Sequence, residues 1–358
     1  MSQYLLIFIT AFVLALIFTP AAIKIAPKIG AIDIPKDNRR MHTKAMPRFG
    51  GMAIYIGTVA SMLIFLPYST RLMGVIAGGT LMFFVGIIDD LKGMPAKIKL
   101  ACQVLCAIIL FQFSVSIDFI SNPFGEGYFF FPWILSLFVT VVWIVGITNT
   151  INLIDGLDGL AAGVAFIASI SIAYTAYIHG RTDICMAMLA IAGGALGFLP
   201  YNFNPAKIFM GDGGSLFLGF MLAGLSVMSP MKSATMVATV VPVLVLGLPI
   251  FDTAFAILRR LINRRPIMEA DKGHLHHRIM AAGLGQRRTV LTLYGISGVM
   301  GVAAILMSRD LLIESGLLVI IAATFIYVFL TDPSSRTLSL KAVNTEAIEK
   351  KQNKQKQK

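Results

Sequence analysis

Long apolar segments alternate with short polar segments along most of this chain. Eleven of the apolar segments approach or reach the length of about 20 residues that a helix needs to cross the hydrocarbon core of a bilayer. They cover approximately residues 4–24, 49–67, 72–89, 98–116, 131–149, 159–178, 184–200, 213–229, 234–258, 289–307 and 313–331. The pattern predicts an all-α, polytopic membrane protein with about 11 transmembrane helices. The loop 117–132 has apolar and aromatic residues on both sides of an Asn-Pro-Phe-Gly turn, which predicts a short hairpin.

The composition agrees with lipid as the main solvent. Of the 358 residues, 57% are hydrophobic and only 13% are charged, whereas about a quarter of the residues in a typical soluble domain are charged. A soluble globular class is therefore excluded. We expect an integral membrane catalytic domain at 1–335 and a disordered, basic cytoplasmic tail at 336–358, because the tail is rich in Lys and Gln and poor in apolar residues.

The positive charges are distributed unevenly between the two sets of loops. If the first segment starts outside the cell, 26 of the 30 Lys and Arg residues lie in the inner loops and tail. Such an excess is typical of the cytoplasmic side of a membrane protein. The net charge of +12 therefore requires no nucleic-acid partner, and part of it is expected to face anionic lipid headgroups.

Six aspartates beside the apolar segments all fall at the predicted cytoplasmic side, where each needs a reason because ionisable groups near lipid are costly. They are Asp89, Asp90, Asp155, Asp158, Asp212 and Asp252. The adjacent Asp89 and Asp90 end the third segment, where carboxylates oppose the helix dipole. A plain helix stop would be better made by lysine, so we interpret the pair as functional, with helix termination as the alternative.

A second polar cluster follows the fifth segment. Asn149, Asn152 and Asp155 are spaced i, i+3 and i+6, which places them on one stripe if the segment is helical. Asp155 and Asp158 are each followed by glycine, which permits tight turning and close approach of the backbone. A loop between helices is the alternative, but four residues of ligand type within ten positions favour a functional site.

Asp212 lies in Gly211-Asp212-Gly213-Gly214, at the start of the eighth segment. Small residues at a helix start leave backbone N–H groups accessible to phosphate, and the Asp212 carboxylate is suited to a hard cation. The alternative is an aspartate that only caps its own helix.

Two inner loops carry further candidates. The longest contains His274, His276, His277 and Arg278. Three histidines are compatible with zinc, but no cysteine is nearby and the other candidates are hard oxygen donors that suit magnesium. Donation to phosphate oxygens is therefore favoured over a zinc site or a merely basic loop. The first inner loop contains Arg48 in Pro47-Arg48-Phe49-Gly50-Gly51. The positive-inside rule alone would explain its Lys and Arg residues, but it does not require this sequence before a helix.

Together and in this order, from Asp33 to Arg278, these blocks resemble the polyprenyl-phosphate N-acetylhexosamine-1-phosphate transferases of glycosyltransferase family 4. A single Asp-Asp pair is a weak signal, but the ordered set is specific. Within the family the chain resembles the branch that uses UDP-GlcNAc. The branch that makes lipid I has a His-His-His-x-Glu block and ten spans, whereas this chain has His274-Leu275-His276-His277-Arg278 and eleven predicted spans.

The resemblance implies roles for the matching residues. Asp89 and Asp90 are implied to orient or deprotonate a lipid phosphate, and Asp155 is a third candidate catalytic residue. Asn152 and Asp212 are implied ligands of Mg²⁺, with Mn²⁺ as a substitute. The candidate substrate-binding residues are Lys99 and Arg278 with His276 for phosphates, Asp158 for uracil, and Arg48, Asn149, His274 and His277.

The activity implied by the resemblance is transfer of GlcNAc-1-phosphate from UDP-GlcNAc to undecaprenyl phosphate. The products are undecaprenyl-diphospho-GlcNAc and UMP, in the first membrane step of a cell-envelope glycopolymer such as teichoic acid or O-antigen. We expect a bacterial plasma-membrane protein whose active site faces the cytoplasm, with a homodimer as one allowed assembly. The alternatives are a UDP-MurNAc-pentapeptide transferase that makes lipid I and a transporter. The absence of carboxylates in the middle of the spans disfavours a transporter.

The charge distribution predicts that residue 1 lies outside the cell and that the tail lies inside. Reporter fusions or cysteine labelling at the two ends measure this directly. Both ends on one side of the membrane would contradict a topology with eleven crossings.

Overall fold

The computed structural model describes residues 2–34, 45–121, 127–228, 242–262, 275–281 and 283–331. The described chain is dominated by helices. They are α1 (Ser2–Ile29), α2 (Gly51–Phe65), α3 (Thr70–Lys92), α4 (Ala96–Gln112), α5 (Trp133–Ile154), α6 (Leu160–Ile178), α7 (Thr182–Asn202), α8 (Gly211–Met228), α9 (Gly247–Ile262), α10 (Leu275–Ala281), α11 (Gln286–Met307) and α12 (Leu312–Thr331).

Each predicted apolar segment overlaps a helix, and the first part of the ninth predicted segment, 234–241, lies outside the described residues. Among the described helices, α1, α3, α5, α6, α7, α8 and α11 are long and apolar enough to cross a membrane, and α2 and α12 contain shorter apolar stretches. The prediction of an all-α, polytopic membrane protein is therefore confirmed. The number of eleven crossings stays a prediction, as does the tail 336–358, which lies outside the described residues.

Helix α8 forms the centre of the bundle. Every one of its residues is buried, and it packs against α2, α3, α5, α6 and α7. The approach of α3 is especially close, because a Cβ on Gly86 would collide with the backbone of Asp212 and Gly213. Glycine at this position therefore lets the end of α3 lie directly against the start of α8.

The outer helices present large apolar side chains at the surface. Ile17 of α1, Phe138 of α5 and Ile313 of α12 are each more than 60% exposed. A soluble protein rarely leaves so much apolar surface in water. The same side chains are favourable in contact with lipid tails, so the exposed surface agrees with a membrane environment.

Two short hairpins complete the described structure. Strand β3 (Phe119–Ser121) pairs antiparallel with β4 (Tyr128–Phe130), which confirms the hairpin predicted for the loop 117–132. Strand β1 (Ile32–Asp33) pairs antiparallel with β2 (Met46–Pro47). The sequence did not predict this second hairpin, and it leads the chain directly to Arg48.

Candidate active site

The end of α3, the end of α5 and the start of α8 lie together, and they bring three acid-bearing segments to one place. Asp212 is the centre of a continuous series of ion pairs. Its Oδ1 lies 2.5 Å from Nη2 of Arg48, and its Oδ2 lies 2.5 Å from Nζ of Lys99. Arg48 also pairs with Asp90, at 3.0 Å from Nε to Oδ1, and Lys99 also pairs with Asp89. Acids and bases thus alternate, in the order Asp90, Arg48, Asp212, Lys99 and Asp89.

The Asp90 carboxylate holds the start of α8. It accepts hydrogen bonds from the backbone N–H groups of Asp212, at 2.9 Å, and Gly213, at 3.0 Å. A carboxylate at a helix N-terminus is stabilised by the unpaired N–H groups and by the helix dipole. The expectation that these N–H groups are accessible to phosphate is therefore wrong for these two residues. Gly211 has a φ of +74° and lies against Asp90, so a side chain at Gly211 would be strained and would meet the carboxylate.

Arg48 is held in place by its own backbone and by the backbone of its neighbours. Its N–H donates to the carbonyl of Ala31, and the N–H of Phe209 donates to the carbonyl of Pro47. Gly50 then donates back to the carbonyl of Phe209. Burial lowers the pKa of Arg48, but Asp90 and Asp212 outweigh this effect and raise the pKa above its ordinary value. The main chain at Arg48 is therefore held by hydrogen bonds, and the guanidinium, which pairs with Asp90 and Asp212, remains charged.

Asp155, which follows the last residue of α5, differs from the other acids of the site. No residue that the structure describes donates a hydrogen bond to its carboxylate. Burial raises the pKa of Asp155 well above its usual range, Arg48 opposes this effect, and the nearby Asp212, Asp90 and Asp158 add to it. Asp155 therefore has no described hydrogen-bond donor, whereas Asp89, Asp90 and Asp212 beside it are all ion-paired.

The two asparagines of α5 have different partners. Asn152 donates from Nδ2 to Oγ of Ser215 at 2.8 Å, and Ser215 in turn donates to the carbonyl of Gly211 at 3.1 Å. This arrangement commits the amide nitrogen of Asn152 and leaves its oxygen as the group suited to a cation. Asn149 instead forms two hydrogen bonds with Gln103 of α4. The sequence analysis missed Gln103, although its position four residues after Lys99 on an apolar helix was a signal.

Asp158 lies in a second network, at the connection between α5 and α6. Its Oδ2 accepts hydrogen bonds from Nδ2 of Asn204 at 2.9 Å and from the backbone N–H of Ala206 at 3.1 Å. Asn204 also donates to Gln286 at the start of α11. The sequence analysis missed Asn204 as well. Its signal was a pair of asparagines in Asn202-Phe203-Asn204-Pro205 directly after an apolar segment.

The histidine block lies partly inside the described structure, and His274 lies outside it. His276 is buried, with its ring 4.2 Å from the ring of His277, and a Cβ on Gly156 would be 3.2 Å from its Nε2. His276 is therefore next to the loop that carries Asp155 and Asp158. The guanidinium of Arg278 lies over the ring of Phe255 at 5.7 Å.

In the part of the chain that the structure describes, no three His, Cys, Asp or Glu side chains are arranged to hold a metal ion by themselves. The sequence-predicted residues that the structure brings into one cluster are Arg48, Asp89, Asp90, Lys99, Asn152, Asp155 and Asp212. Asp158 and His276 lie at its edge, and Asn149 lies one helical turn away from Asn152.

Fold and site together define a helical, polytopic membrane protein with a charged site at the helix ends. Comparison with known proteins extends this description. Residues 72–230 match the model of glycosyl transferase family 4. The chain is 44% identical to the probable undecaprenyl-phosphate N-acetylglucosaminyl 1-phosphate transferase of Bacillus subtilis, over 86% of each chain.

Two further relatives are more distant. The chain is 33% identical to the decaprenyl-phosphate N-acetylglucosaminephosphotransferase of Mycolicibacterium smegmatis, over 85% of this chain and 82% of the relative. It is 30% identical to a phospho-N-acetylmuramoyl-pentapeptide-transferase of Streptococcus pneumoniae, over 61% of this chain and 71% of the relative. The chain belongs to glycosyl transferase family 4 and is a phosphosugar transferase of the bacterial membrane, as the sequence analysis predicted.

The contrast between Asp90 and Asp155 predicts opposite effects on stability. Asp90→Asn removes an ion pair and a charged cap of α8, so we expect a loss of about 1–3 kcal/mol in stability. Asp155→Asn removes a half-buried acid that receives no hydrogen bond from any described residue, so we expect a thermal unfolding midpoint at or above that of the wild type, with turnover nearly abolished. Thermal unfolding in detergent and a turnover assay measure the two effects. An Asp155→Asn protein less stable than Asp90→Asn would contradict this account.

Proposed function

We propose that this protein transfers GlcNAc-1-phosphate from UDP-GlcNAc to undecaprenyl phosphate and releases UMP. The observation that carries the proposal is the 44% identity, over 86% of both chains, to the Bacillus subtilis relative, whose name describes this N-acetylglucosaminyl 1-phosphate transfer to undecaprenyl phosphate. The cluster of cations and acids at the helix ends supports it, because both substrates carry phosphate. Lipid I synthesis from UDP-MurNAc-pentapeptide is the second candidate, supported by the 30% identity to the Streptococcus pneumoniae relative.

In the proposed reaction, an oxygen of the lipid phosphate attacks the sugar-linked phosphorus of UDP-GlcNAc. A bond forms between that oxygen and the phosphorus, and the bond between the phosphorus and the bridging oxygen of the pyrophosphate breaks as UMP leaves. Such transfers depend mainly on positioning and on neutralisation of charge. Arg48, Lys99, His276 and Arg278 are the groups of this chain that would bind the phosphates and reduce the repulsion between two anions.

Asp155, the acid of the site that receives no hydrogen bond from a described residue, has a distinct proposed role. A phosphate monoester loses its second proton with a pKa of about 6, so the lipid phosphate is largely dianionic at neutral pH and needs little help from a base. Asp89 and Asp90 are engaged in ion pairs with Lys99 and Arg48, which fits an orienting role better than proton removal. Asp155 is the acid that could accept the remaining proton.

We also propose that catalysis requires Mg²⁺, held by Asn152 and Asp212 with the substrate phosphates. Magnesium is commonly bound by one or two carboxylates, water and substrate phosphates, so a cage of three acidic side chains is not needed. The donor set fits: both groups are hard oxygen donors, and Ser215 engages the nitrogen of Asn152. Asp212 would share its oxygens between the ion and its two cationic partners. The ion would supply positive charge at the phosphate oxygens.

The proposed site faces the cytoplasm. The support is the distribution of charge, with 26 of 30 Lys and Arg residues on the side where the acids lie. A nucleotide sugar is cytosolic, and a lipid phosphate lies at the level of the headgroups. A site at the cytoplasmic interface would meet both.

The sugar preference is tested with purified protein, undecaprenyl phosphate and several UDP-sugars, by following UMP release. We expect UDP-GlcNAc to exceed UDP-MurNAc-pentapeptide by at least about tenfold in kcat/KM. His276→Ala and Arg278→Ala should raise KM for the nucleotide sugar and lower kcat, because the charge that they offset grows in the transition state. Arg71→Ala, at the opposite end of α3 from Asp89, is the matched control. Faster turnover of UDP-MurNAc-pentapeptide would favour the second candidate.

The metal requirement is tested by removing divalent ions with EDTA and adding back Mg²⁺ or Mn²⁺. We expect EDTA to abolish turnover and either ion to restore it, and we expect Asp212→Ala to be nearly inactive while still inserting in the membrane. Ser215→Ala should raise the Mg²⁺ concentration needed for half-maximal activity, because the Asn152 amide loses its partner. Ser226→Ala, near the other end of α8, is the control. Full activity in excess EDTA would refute the metal proposal.

A further inference from the structure

Helix α4 has two chemically different faces. Its outward face is apolar and exposed, as at Ile98 and Leu105, which are 53% and 58% exposed. Its inward face carries Lys99 and, one turn later, Gln103, which is only 1% exposed. A buried amide on a helix that faces lipid on its other side is costly unless its hydrogen bonds are made. Gln103 is therefore expected to have a hydrogen-bond partner inside the protein.

The hydrogen-bond partner of Gln103 is Asn149 of α5. Asn149 donates from Nδ2 to Oε1 of Gln103 at 2.6 Å, and Gln103 donates from Nε2 back to Oδ1 of Asn149 at 3.2 Å. The second proton of the Asn149 amide is donated to the carbonyl of Val145 at 2.9 Å. Both N–H groups of the Asn149 amide are therefore engaged within the protein.

This amide pair connects two parts of the proposed site. On α4, Gln103 lies one turn from Lys99, which pairs with Asp89 and Asp212. On α5, Asn149 lies one turn from Asn152, which bonds to Ser215 of α8. The remaining inward side chains of α4 are apolar, including Cys106 and Leu110. Apolar contacts have no direction, so they allow a helix to rotate or slide more easily than a pair of reciprocal hydrogen bonds does.

We propose that Gln103 is a positioning residue, and that its reciprocal hydrogen bonds with Asn149 fix the rotation and height of α4 so that Lys99 meets the substrate phosphate. The inference rests on the proposed phosphosugar transfer, and it gives Asn149 a positioning role in place of the substrate contact expected from the sequence. A rotation of α4 that separates the two amides also withdraws the Lys99 ammonium from the ion pairs at the start of α8.

A double-mutant cycle tests the pairing. Gln103→Leu and Asn149→Leu are each expected to lower kcat about tenfold and to change KM for UDP-GlcNAc by less than about twofold, because the loss is one of alignment. The kcat of the double variant should lie within about twofold of the kcat of the slower single variant, because the second substitution removes a partner that has already lost its function. Cys106→Ala, on the same buried face of α4, controls for altered packing and should keep wild-type kcat.

An exchange variant separates positioning from simple stability. Gln103→Asn combined with Asn149→Gln keeps every donor and acceptor, and it should recover kcat above that of either leucine variant. Losses that multiply in the double variant would overturn the proposal, as would wild-type kcat in Gln103→Leu. If the leucine variants do not fold, a folded exchange variant with kcat at least about tenfold below the wild type would also overturn it. A wild-type protein that releases no UMP from UDP-GlcNAc would instead count against the proposed function.

Discussion

The carboxylate of Asp212 lies at the start of a helix whose residues are all buried, and the surrounding structure is arranged around that charge. A buried carboxylate is strongly destabilising unless it is paired and hydrogen-bonded. Arg48 lies in the segment before α2 and Lys99 lies in α4, so two distant segments of the chain meet at Asp212. Each cation then needs a second acid, and the adjacent Asp89 and Asp90 supply one to each.

The same interactions assemble the fold and prepare the site. Asp90 joins the end of α3 to the start of α8 through two backbone N–H groups, and Gly86 permits the close approach on which those hydrogen bonds depend. A site built from ion pairs is already organised for anionic substrates, because cations held in position need little rearrangement when phosphate arrives. Asp155 has no hydrogen-bond donor among the described residues, and an acid of this kind is usually retained for function.

The polar residues of α4 and α5 show how a membrane protein keeps such a site aligned. Packing between apolar helices is not directional, so specific alignment depends on the few polar groups that face inward. Asn152 and Ser215 connect α5 to α8, and Gln103 and Asn149 connect α4 to α5. Together these hydrogen bonds link α5 to α4, which carries Lys99, and to α8, which carries Asp212.

The sequence by itself determined the helical membrane architecture, because the length and apolarity of each segment are local properties. It also identified the acids as candidates, because charges beside apolar segments are costly enough to be informative. Arg48 and His276 were identified from the motifs of their loops, and Lys99 only from the family resemblance. The partners of those residues depended on tertiary structure. The capping of α8 by Asp90, the link from Asn204 to Asp158 and the pairing of Gln103 with Asn149 join residues at least 46 positions apart. No local pattern encodes such contacts, because they exist only once the helices have packed.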